Sequence, residues 1–228
     1  MPVLNYERNP EAIYRKSFEI VRKEADLDGL PRGEAEIAAR IIHACGMAEA
    51  GRSLIFSRDC ANAGRSALEA GAAIVCDSRM VASGIRRDLL PANNRVFAAI
   101  DAPNSAELAL KSGATRSAAA FELIQSELAG AVVAIGNAPT ALFRLLELVD
   151  SGISRPALVV ALPVGFVGAA ESKAELVGNP RGMPFLTLPG RLGGSAMAAA
   201  AVNAICVLAG RPDSDRITSR QDKGFCRS

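Results

Sequence analysis

From residue 53 onward, short runs of Val, Ile, Leu and Ala recur along the chain, each followed by a stretch with helical spacing of its apolar positions. The runs cover residues 53–56, 72–76, 95–100, 131–135, 157–162 and 184–188. Several are continuously apolar rather than alternating, the pattern of strands covered on both faces. Alternation of such strands with helices predicts an α/β fold, a three-layer sandwich whose mostly parallel sheet is flanked by helices. Two helices precede the first run. Asn9-Pro10 marks the start of one, with Asn as cap and Pro at the first position, where its missing N–H costs nothing. That helix is predicted to reach residue 25, and a second covers 34–49. A last apolar run, 196–210, is Ala-rich, contains Asn203, and reads as a buried helix rather than a membrane span.

The chain has 228 residues, half of them apolar, which suits one domain with an ample core. Residues 1–211 are read as that single domain, and the polar segment 212–228 as a mobile tail. With 26 basic against 24 acidic residues, the net charge of +2 gives no bulk attraction for nucleic acid. Two Tyr, eight Phe and no Trp give no base-stacking platform either. The five cysteines, at 45, 60, 76, 206 and 226, show no CxxC spacing, and with one histidine in the chain no metal site is expected. The first residues lack the apolar stretch of a signal peptide, so a cytoplasmic protein with no membrane contact is expected.

In a parallel sheet, ligands bind outside the carboxyl ends of the strands. Those ends are distinctive. The second run leads into Asp77-Ser78-Arg79-Met80, the fourth into Gly136-Asn137-Ala138-Pro139 and the fifth into Pro163-Val164-Gly165. The sixth leads into Gly190-Arg191-Leu192-Gly193-Gly194-Ser195. Glycines let backbone N–H groups approach a ligand, helix N-termini favour anions, and Arg191 adds a fork for carboxylates. One such stretch is a tight turn; four on one sheet edge point to a site. Asp77 also has a simpler reading, as cap of the helix that follows it.

The only histidine, His43, falls on the second helix. Ile37, Ile41, Cys45 and Ala48 form its apolar face, while Glu36, Arg40, His43 and Met47 form a separate stripe. Without a metal or a second base, one imidazole can donate and remove a proton. There is no G-x-S-x-G elbow and no phosphate-binding G-x-x-x-x-G-K-[ST] loop, and Gly190–Ser195 does not match G-x-G-x-x-G.

Six stretches together resemble the precorrin-8X methylmutase family of cobalamin biosynthesis. They are IHACGM at 42–47, CDSRMV at 76–81, TRSAA at 115–119, AIGNAPTAL at 134–142, PVGFVGAAESK at 163–173 and GRLGGSA at 190–196. The resemblance implies a homodimer whose pocket is shared between subunits. It implies an isomerase that moves the ring-C methyl group of precorrin-8X from C-11 to C-12, giving hydrogenobyrinate without metal, nucleotide or flavin. It places the proton donor and acceptor at His43, and substrate contacts at Ser17, Arg40 and Arg116. Arg15 and Arg191 are further candidates for the substrate's carboxylates, and Tyr14 and Met80 for its apolar face. Asp77, Ser78, Asn137, Gly165, Lys173, Gly193, Gly194 and Ser195 complete the candidate set. A sister activity on a cobalt-containing substrate and a non-catalytic tetrapyrrole carrier fit the same stretches, and neighbouring pathway enzymes are conceivable partners.

Overall fold

The structure, a computed structural model, describes residues 4–210, so the predicted tail lies outside the described residues. The first helix, α1 (Pro10–Glu24), begins as its sequence predicts: Asn9 accepts a hydrogen bond from the Ala12 N–H at 2.9 Å, with Pro10 inside the first turn. The second, α2 (Arg32–Cys45), is shorter than its apolar spacing suggests. Gly46 adopts a left-handed conformation, φ 70°, and stops it four residues after Ile42. A single-turn helix, α3 (Ala50–Ser53), takes up the remainder. Glycine tolerates that conformation where other residues do not, so local backbone chemistry overrides the periodicity.

Six strands follow where the apolar runs predict them: β1 (Ile55–Phe56), β2 (Ile74–Cys76), β3 (Val96–Ala98), β4 (Val132–Ile135), β5 (Leu158–Ala161) and β6 (Phe185–Thr187). The intervening helices are α4 (Cys60–Glu69), α5 (Arg79–Gly84), α6 (Ser105–Ser112), α7 (Arg116–Leu123), α8 (Pro139–Asp150), α9 (Ala169–Gly178) and α10 (Ser195–Ala209). The sheet order is β1-β6-β5-β4-β2-β3. Neighbours from β3 to β6 are parallel, and only β1 runs antiparallel, against β6. The sheet is therefore mixed, with one reversed edge strand.

Alternate strand residues serve two cores. Ile74, Cys76, Val132, Ala134, Leu158 and Val160 face a layer built from α2, α4, α5 and α10. Val75, Val133, Ile135, Val159 and Ala161 face α7, α8 and α9. The Ala-rich α10 is the buried helix its composition predicts. Asn203, half-buried midway along it, accepts from the Arg86 N–H and donates to the Gly84 carbonyl, both at 2.9 Å. No helix among the described residues is long and apolar enough to cross a membrane.

The start of α10 meets the end of β4 at Gly136. A Cβ at that position would lie 2.8 Å from Ser195 Cα, 2.8 Å from Val81 and 2.9 Å from Ala198. We expect Gly136→Ala to destabilise the fold by about 1–3 kcal/mol, the usual cost of overpacking, measured by urea or thermal unfolding. An unchanged midpoint would show that α10 can withdraw from the sheet.

Candidate active site

Parallel pairing brings the carboxyl ends of β2, β4, β5 and β6 to one edge, as the sequence predicts. The loops there are tied to one another. Asp77, buried at the end of β2, accepts from the N–H groups of Gly136, Asn137 and Ala138 at 3.1, 2.8 and 2.6 Å. It thus fixes the loop that leads from β4 into α8 (Pro139–Asp150). Its own following helix, α5, is capped by Ser78, which accepts from the Val81 N–H. The simple reading of Asp77 as cap of the helix that follows it is corrected accordingly: Ser78 takes that place, and Asp77 accepts from loop N–H groups ahead of α8. Burial pushes the Asp77 carboxyl up, against the N–H bonds that pull it down. Both oxygens are occupied by backbone.

A second tie joins the loops after β5 and β6. Lys173 on α9 is fully buried, and its Nζ donates to the Leu192 carbonyl at 2.7 Å. No carboxylate pairs with it among the described residues. Gly194 N–H donates to the Leu162 carbonyl at 2.9 Å, and the Gly165 N–H to the Arg191 carbonyl at 3.3 Å. Gly193 lies so close that a Cβ there would stand 2.3 Å from the Leu162 oxygen. Arg191 is exposed and stacks on the exposed Phe166 ring at 5.1 Å. Ser195 is buried at the start of α10, and Asn137 is exposed at the edge. Met80 is 73% exposed on α5, so ordinary core packing does not account for it.

His43 reaches this end of the molecule through α2. Gly33, at the start of α2, lies beside Leu208 at the end of α10, so α2 runs back along α10 toward its beginning. There α1 meets it. Ser17 Oγ and His43 Nδ1 are 2.9 Å apart. The buried Phe18 ring stacks on the imidazole, with centroids 4.9 Å apart and planes inclined by 23°. Tyr14 packs on Phe18 at 4.7 Å and presents an edge to His43 at 6.4 Å. The guanidinium groups of Arg40 and Arg22 lie 5.4 and 5.7 Å from the Phe18 ring, and both pair with Glu36. Tyr14, Arg15, Phe18 and Arg40 line a cleft of about 360 Å³. His43 itself is exposed.

Four predicted residues, Tyr14, Ser17, Arg40 and His43, thus form one cluster, with Arg15 on the same cleft. Phe18 belongs to it and was not among the predicted residues. Its signal in the sequence is modest: an aromatic one turn after Tyr14 on the same helix. Arg116 lies elsewhere. It opens α7, in the layer across the sheet, where it donates to Ser105 Oγ at 3.1 Å and to the Ile100 carbonyl at 3.0 Å. A larger cavity, about 730 Å³, follows the open edge of β3 between Arg79, Arg87, Arg95 and Leu123, and contains none of the predicted site residues. Its arginines are engaged with Asp101, the Val96 carbonyl and Glu127. Cys60, Cys76 and Cys206 are buried; burial pushes the Cys76 thiol up to about 12 and Cys206 to about 11, far from a nucleophile's range.

The model of the precorrin-8X methylmutase family matches residues 12–208. The chain belongs to this family. It is 53% identical over 205 residues to a precorrin-8X methylmutase from Sinorhizobium, covering 90% of this chain and 98% of that one. A cobalt-precorrin-8 methylmutase from Priestia megaterium is 38% identical over 201 residues, covering 88% of each chain. The crystal structure of a precorrin-8X methylmutase from Thermus thermophilus superposes with a TM-score of 0.78 at 37% identity, covering 87% of this chain and 97% of that one. The three-layer arrangement is therefore that of the family.

Burial lowers Lys173 to about 8. From there up to the ordinary lysine value, the unfolded chain holds more protons than the native one, so the native state gains stability as pH rises. Lys173→Met lacks this titration. The unfolding free energy of the wild type relative to Lys173→Met is expected to rise between pH 8 and 10 by up to about 1.4 kcal/mol per pH unit. Denaturant titrations at several pH values measure it; a difference that stays flat would mean that the ammonium is solvated in the native protein.

Proposed function

We propose that this protein is the precorrin-8X methylmutase of a cobalamin pathway: an isomerase that moves the ring-C methyl group from C-11 to C-12 and releases hydrogenobyrinate. The observation that carries the reading is the sole histidine, held by Ser17 and Phe18 within a chain 53% identical to two precorrin-8X methylmutases, from Sinorhizobium and from Pseudomonas aeruginosa. A methyl shift around a conjugated macrocycle rearranges bonding electrons without net oxidation. It needs the macrocycle in the right tautomer, and a proton given and taken back by His43 selects it. The substrate's carboxylate side chains meet Arg15, Arg40, Arg116 and Arg191. Tyr14 and Met80 lie against the ring. Ser78, Asn137, Gly165 and the 193–195 segment frame the sheet edge, while Asp77 and Lys173 hold the loops that carry them.

The pocket is completed by a second subunit in a homodimer. Support for this comes from the exposure of His43, Tyr14 and Met80 in the single chain, and from Arg116 standing in the opposite layer. The enzyme acts in the cytoplasm and passes its product to neighbouring enzymes of the pathway. Identity of 53% to relatives named for precorrin-8X, against 38% to the Priestia relative named for cobalt-precorrin-8, supports the metal-free substrate. Relative turnover of the two substrates decides between them.

His43→Ala is expected to slow conversion of precorrin-8X by roughly 10²–10⁴, the share of a positioned acid or base. Binding of hydrogenobyrinate, followed by its absorption spectrum, should persist. Turnover near the wild-type rate would remove His43 from the chemistry, and binding without conversion by the wild type would make the protein a carrier.

A further inference from the structure

We propose that Ser17 is a positioning residue that holds His43 by Nδ1, so that Nε2 is the nitrogen that exchanges the proton with the macrocycle. This rests on the function proposed above and departs from the role that the family resemblance implies for Ser17, a substrate contact. The ring's orientation is fixed by two contacts at right angles in function. Stacking on Phe18, at 4.9 Å and 23°, sets the plane of the imidazole. The half-buried Ser17 hydroxyl, 2.9 Å from Nδ1, sets which edge of the ring turns inward against α1. Phe18 cannot easily yield, because it is buried and braced by Tyr14, Arg40 and Arg22. With Nδ1 taken up by Ser17 of α1 in an exposed residue, Nε2 is the ring nitrogen without a hydrogen-bond partner among the described residues.

The partner's chemistry suits an isomerisation, which consumes and releases no net proton. With Nδ1–H donated to Ser17 Oγ, the imidazolium gives its Nε2 proton to the macrocycle and keeps the Nδ1 proton. The same Nε2 lone pair then takes a proton back once the methyl group has moved, and the imidazolium is restored. A hydroxyl can also donate to a bare Nδ1, so it partners the ring in every protonation state. A carboxylate would favour one of them. The other ring nitrogen's hydrogen bond is what decides which nitrogen works.

Because His43 is the only histidine, nitrogen-15 labelling of histidine gives one imidazole to observe in the full chain. Ser17→Ala is expected to lower kcat roughly 10–100-fold, the cost of a misdirected group, with KM changed less than about twofold. Ser17→Thr, which keeps the hydroxyl, should retain most of kcat. In the free protein Ser17→Ala should move the Nδ1 resonance, and hydrogenobyrinate added to the wild type should move Nε2. A raised KM at unchanged kcat, an Nδ1 resonance indifferent to Ser17→Ala, or a product-induced shift confined to Nδ1 would each overturn the proposal. The Nδ1 comparison needs no substrate, so it tests the clamp even if the wild type converts no precorrin-8X and the functional reading itself fails.

Discussion

The close approach of α10 to the sheet is the constraint on which the rest depends. A helix of mostly alanine has little volume, so it sinks between α2, α4 and α5 until backbone nearly meets backbone. Glycines receive it at each contact. A Cβ on Gly84 would stand 2.7 Å from Ala199, and one on Gly64 would stand 2.6 Å from Leu158 and 3.1 Å from Ile205. Dispersion between closely fitted small groups replaces the bulk of larger side chains. The depth of α10 then fixes the height of α2 above the sheet, and α2 carries His43 and Arg40. Side chains at the rim are positioned by packing in the middle.

At the carboxyl edge, order comes from polar ties rather than apolar contact. Asp77 spans from the β2 loop to the β4 loop, and Lys173 braces the loops after β5 and β6. Each uses a buried charge to hold backbone groups that would otherwise lack partners. These residues lie beside the candidate ligand groups, Ser78, Asn137 and Arg191, and are themselves spent on structure. Buried charges shape the edge, and beside them Asn137 and Arg191 stand exposed.

All six strands were legible as short apolar runs, most plainly β2, β4 and β5, where a strand covered on both faces leaves no polar position to confuse the period. The reversed direction of β1 was not, since a two-residue edge strand carries no mark of its orientation. The end of α2 was misplaced because apolar spacing continues past Gly46, while the left-handed glycine decides the matter locally. In the site, His43, Arg40, Ser17 and Tyr14 share one cluster, while Arg116 stands in the opposite layer. The buried Phe18 did not announce itself, for nothing in one sequence tells a stacking phenylalanine from a core one. Asp77 accepts backbone N–H groups, but those of the 136–138 loop rather than of the helix after it; that choice is set by the order of strands, with β4 beside β2, which no local pattern encodes.

The stop at Gly46 reaches further than helix length. Had the residue carried a Cβ, the left-handed turn would cost about 1–2 kcal/mol, and a longer rod of helix would be the cheaper path for the backbone. Such a rod would carry the chain past the turn that leads into α3 (Ala50–Ser53) and the edge strand β1 (Ile55–Phe56). One hydrogen atom in place of a methyl group therefore decides where the chain leaves α2 and turns toward the sheet.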